Sequence, residues 1–422
     1  DGNLELLAKP GRERGIDQIL QLLESEPAAA SRLQESADRL MRVFVPVVSL
    51  TAMATFFGWL LLSSHPWWEA LFNAMAVLLV ACPCALGLAM PTGIWAGLYA
   101  LGQRGLVGRH GHLLDSLAAC TVVVFDKTGT LSTFDLEVDT RHLKEPVPSS
   151  GEPVPRLIPA IASLARASHH PVSAALGRIS EEASLPVDGF RVHPGQGVEG
   201  RVQGADLLLG EARLLESKGV AIPEDSKGEL GKPVHVSYKG RFAGTLYLKE
   251  ILRDEAVPTL EALESLGCRC RILSGDPASL LAEIGGCPVE GSLSPPEKAA
   301  RIKALKAAGE HVLFIGDGVN DVPAMQASDS ALAIDLGAAL ATEFADGLLV
   351  EGRVGTLPSA IRRARRIVNH LRGNLRFALG YNLIGMALAA GGVLHPVVAA
   401  LLMVGSSAVV SARALHAAGE LA

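Results

Sequence analysis

Four short stretches of this chain carry residue types that together can move a phosphoryl group. An apolar, β-branched run, Thr121 to Phe125, delivers Asp126 and continues as Lys127-Thr128-Gly129-Thr130. A second run, Cys270 to Leu273, leads into Ser274-Gly275-Asp276, and a third, His311 to Ile315, into Gly316-Asp317-Gly318-Val319-Asn320-Asp321. Lys298 follows Ser294-Pro295-Pro296-Glu297. A carboxylate such as Asp126 can attack phosphorus as a nucleophile. Asp317 and Asp321 offer the hard oxygens that Mg²⁺ takes alongside phosphate and water. Lys298 can neutralise charge developing on phosphoryl oxygens, and Ser274 with its neighbouring backbone N–H groups can bind the same oxygens. An isolated Asp-Lys-Thr-Gly is an ordinary strand-ending turn. The specificity lies in three such loops in order plus a lysine.

Positioning these groups takes a sheet. Short buried runs that each end in an acidic, glycine-bearing loop predict parallel strands, whose carboxyl ends carry the sites of doubly wound folds.

Around this block the chain changes character. Val43 to Leu62, Ala70 to Gln103 and Phe377 to Ala412 contain no Asp, Glu, Lys or Arg. Each is long enough for a bilayer span, which needs about 20 apolar residues. The last is too long for one span and is broken by Gly391-Gly392 and His395-Pro396. Four transmembrane helices in two hairpins are predicted, with a turn at Ser63–Trp68 in the first. Arg39 and Arg42, Arg104 and Arg109, and six arginines between Arg362 and Arg376 flank these stretches. By the positive-inside rule those ends are cytoplasmic, which puts about Asp115 to Ile361 in the cytosol.

Composition agrees. The chain has 422 residues, 49% hydrophobic and 19% charged, which excludes disorder for most of it and argues against a purely soluble enzyme. The formal charge is 38 − 44 = −6, so no basic field points to nucleic acid. Six cysteines make no disulfide scaffold. A chain opening on Asp1, with no signal peptide, reads as cut from a longer one.

The motifs resemble the heavy-metal-transporting P-type ATPases of the copper-transporting class. Asp126-Lys127-Thr128-Gly129-Thr130 is similar to that family's phosphorylation motif, Gly316 to Asp321 to its hinge motif, and Cys82-Pro83-Cys84 to its transmembrane metal motif. The resemblance implies a membrane α-helical core plus a cytosolic α/β part, a haloacid-dehalogenase-like phosphorylation domain with an inserted α+β nucleotide-binding domain. It divides the chain into an actuator tail and linker (1–36), a transmembrane hairpin with a cytosolic extension (37–118), the phosphorylation domain (119–134 and 250–355), the nucleotide-binding domain (135–249) and a second transmembrane hairpin (365–422). It implies catalytic roles for Asp126, Lys127, Thr128, Ser274, Gly275, Asp276 and Lys298, and a Mg²⁺ site at Asp126, Thr128, Asp317 and Asp321. ATP is expected at His170, Pro171, Gly195, Gly197 and Gly210, the glycines allowing close backbone approach.

Soluble relatives usually carry a second Asp two residues after the nucleophile; here Thr128 stands there, so an aspartyl-phosphate would persist. The pattern also departs at Ala165 and Glu211, where Glu and Asn are usual, and at Arg413, where Asn is usual.

The transported ion follows from ligand chemistry. Pro83 removes a helix hydrogen bond and exposes two thiols, which select Cu(I) or Zn²⁺. Tyr381-Asn382 and Met403-Val404-Gly405-Ser406-Ser407 are similar to the copper subgroup's signatures, so Cys82, Cys84, Tyr381, Asn382, Met403 and Ser406 form the expected Cu(I) path. A zinc pump would be expected to carry Lys or Asp in its last helices, and 377–412 holds neither. Arg39 to Val48 and Ser168 to Pro171 resemble copper pumps serving cytochrome oxidase assembly. Membrane lipid and a copper chaperone are implied partners, and the bacterial cytoplasmic membrane the location. The actuator's Thr-Gly-Glu loop does not occur, so the missing actuator and first helices are expected on the same polypeptide. Alternatives are transport of Zn(II) or Ag(I) and, in other classes, a membrane-anchored phosphatase or an inactive fragment. Cys268 and Cys270 read as packing; Cys120 and Cys287 have no partner in the sequence.

Overall fold

The computed structural model describes residues 31–81, 84–143, 156–223, 231–276, 283–317, 319–334 and 344–419. Its packing divides the chain into two units. The first is Asp1–Asp126, Val257–Arg271 and Ser294–Ala422; the second is Lys127–Ala256 and Ile272–Leu293.

Along the chain, helices α1 (Arg32–Leu62), α2 (Trp67–Val80) and α3 (Cys84–Gly102) come first. Then follow β1 (Leu106–Gly108), α4 (Gly111–Ala119), β2 (Val122–Asp126) and β3 (Ser132–Asp139). Next are α5 (Leu157–Arg166), α6 (Pro171–Gly177), β4 (Val187–His193), β5 (Gly197–Val202), β6 (Ala205–Gly210) and α7 (Ala212–Ser217). They lead to β7 (Lys232–Tyr238), β8 (Arg241–Leu252), α8 (Ala256–Ser265), β9 (Arg269–Leu273), β10 (Glu283–Ile284) and β11 (Cys287–Glu290). The chain ends through α9 (Pro295–Ala307), β12 (Val312–Gly316), α10 (Val322–Ala327), β13 (Ser330–Ile334), β14 (Gly347–Leu349), α11 (Leu357–Ala390) and α12 (Pro396–Gly419).

In the first unit the sheet order is β1-β14-β13-β12-β2, with the start of β9 beyond β2. β2, β12, β13 and β14 are parallel, and β1 closes the edge antiparallel. β2 and β12 are buried at every position, as the continuous apolar runs predict for a parallel sheet covered on both faces.

The helices of this unit make a second core of Phe44, Val48, Ala76, Val77, Val80, Met386 and Ala389. Small residues set the contacts. Gly93 and Gly97 of α3 meet Leu371 and Ile367 of α11, and a Cβ on Gly385 would fall on Val80. Such small-xxx-small seams suit helices packing in lipid. The expected break at Gly391-Gly392 is a turn in which Gly392 has φ +76. A side chain there would strike Trp59, whose Nε1 donates to the Ala390 carbonyl at 2.8 Å.

The outward faces of these helices are apolar: Leu50, Phe57, Leu61, Leu78, Ile384, Leu401 and Val404 are all exposed. A belt of this size on a soluble protein would drive aggregation. Among the described residues one helix, Arg32–Leu62, is long and apolar enough by length and composition to cross a membrane. The other expected spans fall on helices that are shorter, as with Trp67–Val80, or basic over one half. In α11 all six arginines precede Phe377.

The second unit is a six-stranded antiparallel sheet, β3-β8-β7-β6-β5-β4, with α5 on its core face. Ile161 and Leu164 of α5 pack with Val198, Leu207, Leu209, Val236 and Leu246. The end of β9 also lies in this unit and pairs in parallel with β11.

The start of α1 shows how the first unit is pinned. Ser31 caps the helix, accepting from the Leu33 N–H at 3.2 Å, and its hydroxyl donates to Asp115 of α4 at 2.6 Å. Asp115, buried, also accepts from the Leu33 N–H at 3.3 Å. Removing it should free the first turn, since a lost cap costs about 1 kcal/mol. Asp115→Ala is therefore expected to speed amide exchange at Leu33 and Gln34 by roughly five- to tenfold, read by hydrogen–deuterium exchange, while the middle of α1 is unchanged.

Candidate active site

Asp126 is the last residue of β2, and Asp317 follows the end of the adjacent parallel strand β12. The next turn, Val319–Asp321, brings Asp321 back over the strand end. Oxygens of Asp126, Asp317 and Asp321 lie within 4.8 Å of one another, the one such metal-competent cluster among the described residues. Gly316 makes this approach feasible: a Cβ there would sit 2.6 Å from an Asp321 carboxylate oxygen.

Lys298 enters the same cluster. Ser294-Pro295-Pro296-Glu297 is a capping box: the Ser294 N–H donates to Glu297 at 2.8 Å, and proline fills the first helical positions. This fixes the start of α9 and places Lys298 on its buried side with Ala299 and Ile302. The Lys298 ammonium donates to Asp126 and, at 2.9 Å, to Asp321. Burial pushes the Asp126 carboxyl up to about 7, reinforced by the Asp321 and Asp317 charges and opposed by Lys298. Burial alone would lower the Lys298 pKa, but Asp126 and Asp321 outweigh it and the ammonium is held charged. The donors are hard carboxylates carrying more negative charge than Lys298 cancels, which fits Mg²⁺.

In the second unit the residues after Asp126 are held by groups the sequence reading missed. Lys127, buried, pairs with Asp276 and lies 3.3 Å from Glu250. Glu250, near the end of β8, also accepts from the Thr128 hydroxyl at 3.0 Å and the Ser132 hydroxyl at 2.7 Å. Arg253 donates to the carbonyls of Thr130 at 2.9 Å and Gly129 at 3.0 Å, clamping the turn in which Gly129 has φ +73. Charged residues ending the apolar run Thr245 to Leu248 were the available signal for both. Ser274 is buried, and its hydroxyl accepts from the Asp276 N–H at 3.1 Å, so it shapes the loop containing Gly275.

The nucleotide-binding candidates converge in the same unit. His170, Gly195, Gly197 and Gly210 line one cleft of about 230 Å³ with Ser173, Lys232 and Glu211. His170 caps α6, its Nδ1 accepting from the Val172 N–H at 3.3 Å, and Pro171 is the first helical residue. The reason for two of the glycines differs from the expectation. Gly197 and Gly210 face each other across β5 and β6, and a Cβ on either would enter the other strand's backbone. Strand contact therefore demands them. Gly195, with φ +71 and open space around it, fits the expectation better. Ala165 is fully buried against the sheet.

Of the metal-path candidates, Cys82 lies outside the described residues, as does Pro83; α3 begins at Cys84, whose side chain is not described. Asn382 is buried and Tyr381 half-buried on α11, the Tyr381 hydroxyl having no hydrogen-bond partner among the described residues. Met403 and Ser406 are half-buried on α12, and the Ser406 hydroxyl donates back to the Met403 carbonyl at 2.9 Å. Arg413 lies over the Phe377 ring at 5.5 Å, a cation–π contact.

A buried carboxylate at the rim of a parallel sheet, with two further aspartates and a lysine, fits a haloacid dehalogenase-like hydrolase domain, and the family model of that description matches residues 120–329. The chain is 32% identical over 434 residues to a "Probable copper-exporting P-type ATPase V" of Mycobacterium tuberculosis, covering 99% of this chain and 55% of the relative. It is also 32% identical to "Copper-transporting ATPase 1" of Rhizobium meliloti, covering 97% and 51%. A crystal structure of a zinc-transporting PIB-type ATPase in the E2.Pi state matches with a TM-score of 0.78 at 28% identity, covering 98% of this chain and 68% of that one. Along nearly its whole length the chain is thus similar to proteins named as P-type ATPases. It spans about half the length of the curated relatives it matches.

The raised pKa of Asp126 has a stability consequence. Between the ordinary value of 3.8 and about 7, the folded chain keeps a proton that the unfolded chain has released. This contribution to stability is fully present below 3.8 and is lost as pH rises through 7. Asp126→Asn cannot ionise. It should raise the Tm of Mg²⁺-free protein relative to wild type by more at pH 8 than at pH 5. Equal shifts at the two pH values would mean that Asp126 titrates as an ordinary carboxylate.

Proposed function

We propose that this protein exports Cu(I) across a membrane, driven by ATP, through a phosphorylated Asp126. The observation that carries the reading is the buried cluster of Asp126, Lys298, Asp321 and Asp317 at the carboxyl ends of two parallel strands. One Asp126 oxygen is the nucleophile. Its attack on the terminal phosphorus of ATP forms an acyl phosphate and releases ADP. Lys298, already against Asp126, can follow the charge as it moves onto the phosphoryl oxygens. Mg²⁺ held by Asp317 and Asp321 beside Asp126 would neutralise the phosphate charge. ATP is assigned to the His170 cleft, with Gly195 beneath it and Lys232 supplying a cation. Thr128 offers no carboxylate for activating water, so the acyl phosphate survives long enough to drive a conformational step.

Cu(I) is assigned to Cys82, Cys84 and Met403, with Tyr381, Asn382 and Ser406 lining the path. Two thiolates, a thioether and neutral oxygens suit an ion content with two or three soft ligands, whereas Zn²⁺ prefers four and often takes carboxylate or imidazole. The likeness to a zinc-transporting structure is what favours the Zn(II) reading instead. The cytosolic side of a bacterial cytoplasmic membrane, and delivery by a copper chaperone, complete the proposal.

Two measurements test it. Incubation of membranes carrying the protein with γ-labelled ATP should give a hydroxylamine-sensitive phosphoprotein, absent in Asp126→Asn. Asp317→Ala should abolish Mg²⁺-dependent labelling while ATP still binds; equal loss of ATP binding would collapse the two-site assignment. For the ion, ATPase activity should rise with Cu(I) and lose that rise in Cys82→Ala/Cys84→Ala. Stimulation by Zn²⁺ alone would transfer the assignment to zinc.

A further inference from the structure

A second reactive cluster lies in the first unit, at the amino-terminal ends of β2 and β9, the ends opposite Asp126. Cys120 immediately precedes Thr121 and β2, and Cys268 immediately precedes β9. Both are free and buried, and the Cys120 thiol donates to the Val122 carbonyl at 3.4 Å. The Cys268 sulfur also lies 3.6 Å from the Cys120 carbonyl. Arg365 of α11 reaches both residues. It donates to the Leu266 carbonyl at 2.6 Å, the Cys120 carbonyl at 2.9 Å and the Cys268 sulfur at 3.2 Å.

The arginine distinguishes the two sulfurs. A guanidinium has donors only, so the sulfur facing it must accept, and a thiolate accepts best. Cys268 is accordingly lowered to about 7, by the hydrogen bond from Cys120 first and then by Arg365, against burial. Cys120 moves the opposite way. Arg365 thus favours the thiolate at Cys268, while Cys120 is biased toward its protonated thiol. The same cation argues against a metal here, because it occupies the thiolate's lone pair and repels a second positive charge.

We infer that Cys268 and Cys120 are an attacking and resolving pair that closes reversibly to a disulfide on exposure to hydrogen peroxide. The Cys268 thiolate attacks one peroxide oxygen. The O–O bond breaks, and the departing hydroxide takes a proton from solvent to become water. The resulting sulfenic acid is attacked at sulfur by Cys120. The S–S bond forms, the S–O bond breaks, and the hydroxide leaves as water with the Cys120 proton. Two electrons pass from the sulfurs to peroxide, giving two waters. Burial makes the first attack wait on local opening, so the reaction is slower than at an exposed thiolate. Closure also deprives Arg365 of its anionic acceptor, so the modification acts on the tie between α11 and these strands. None of this depends on the reaction at Asp126.

The test is peptide mapping of the reduced, full-chain protein after peroxide treatment at pH 7 and alkylation. Trypsin cuts at Arg269 and so separates Cys268 from Cys270. The expected product is a Cys120–Cys268 linked peptide that dithiothreitol releases. Arg365→Met should slow its formation roughly tenfold, from the smaller thiolate fraction. In Cys120→Ser, dimedone should capture a sulfenic acid on Cys268. The inference is overturned if both cysteines are recovered as free thiols after peroxide doses that fully oxidise glutathione. Linkage of Cys268 to Cys270 or Cys287, or an unchanged rate in Arg365→Met, would overturn it as well. Protection of both thiols from alkylation by one equivalent of Cu(I), in a Cys82→Ser/Cys84→Ser background, would make the pair a metal site instead.

Discussion

Repulsion among Asp126, Asp317 and Asp321 is the constraint around which the first unit is arranged. Their oxygens lie within 4.8 Å of one another, with Asp126 and Asp321 buried. At such separations like charges oppose joint ionisation. The fold forces them together through features that carry no charge. β2 and β12 pair in register from Val122–Val312 to Phe125–Ile315, so both end at the same level. Gly316 leaves room for Asp321 to return over the strand end. The capped start of α9 then supplies one ammonium to three carboxylates. The imbalance is what makes the cluster receptive to a divalent cation and to an electrophilic phosphorus. A better neutralised Asp126 would be easier to fold and less able to hold a divalent cation.

The loop after Asp126 is governed by a different arrangement. Lys127, the residue after Asp126, does not act as a free cation, because Asp276 and Glu250 hold it. Glu250 also accepts from the Thr128 hydroxyl, at the position where soluble relatives use a carboxylate to activate water. The side chain that replaces that carboxylate is therefore a hydrogen-bond donor already engaged. Arg253 holds the loop's carbonyls, so the turn is fixed before any ligand arrives.

Much of this was legible in the residues because it rests on local rules. Continuous β-branched runs announced buried parallel strands, and Gly391-Gly392 announced the break between α11 and α12. What escaped was non-local. Glu250 and Arg253 act more than 115 residues beyond the loop they hold, and nothing in their spacing points back to Thr128. The pairing of Cys120 with Cys268 is hidden for the same reason, since sheet order alone makes them neighbours. Gly197 and Gly210 show a subtler miss. Their positions in the cleft were readable, but the steric demand comes from the facing strand.

The helices explain how an event at one end of the first unit reaches the other. α1 contains Pro46 and α3 contains Pro91, and each proline removes a backbone hydrogen bond. α11 has its single proline at the helix start and runs unbroken from Leu357 to Ala390. Arg365, which grips the strand ends before β2 and β9, and Asn382, buried in the helical core, are 17 residues apart on it. At about 1.5 Å per residue that is a rigid rod of about 25 Å. No internal break separates Arg365 from Tyr381 and Asn382 along this helix. Its contact face is also tight there: Val80 fills the space left by Gly385, and Leu371 and Ile367 fill those left by Gly93 and Gly97. A well-packed seam of this kind does not deform gradually. Movement of α11 therefore has to carry α2 and α3 with it, and α3 is the helix that begins at Cys84.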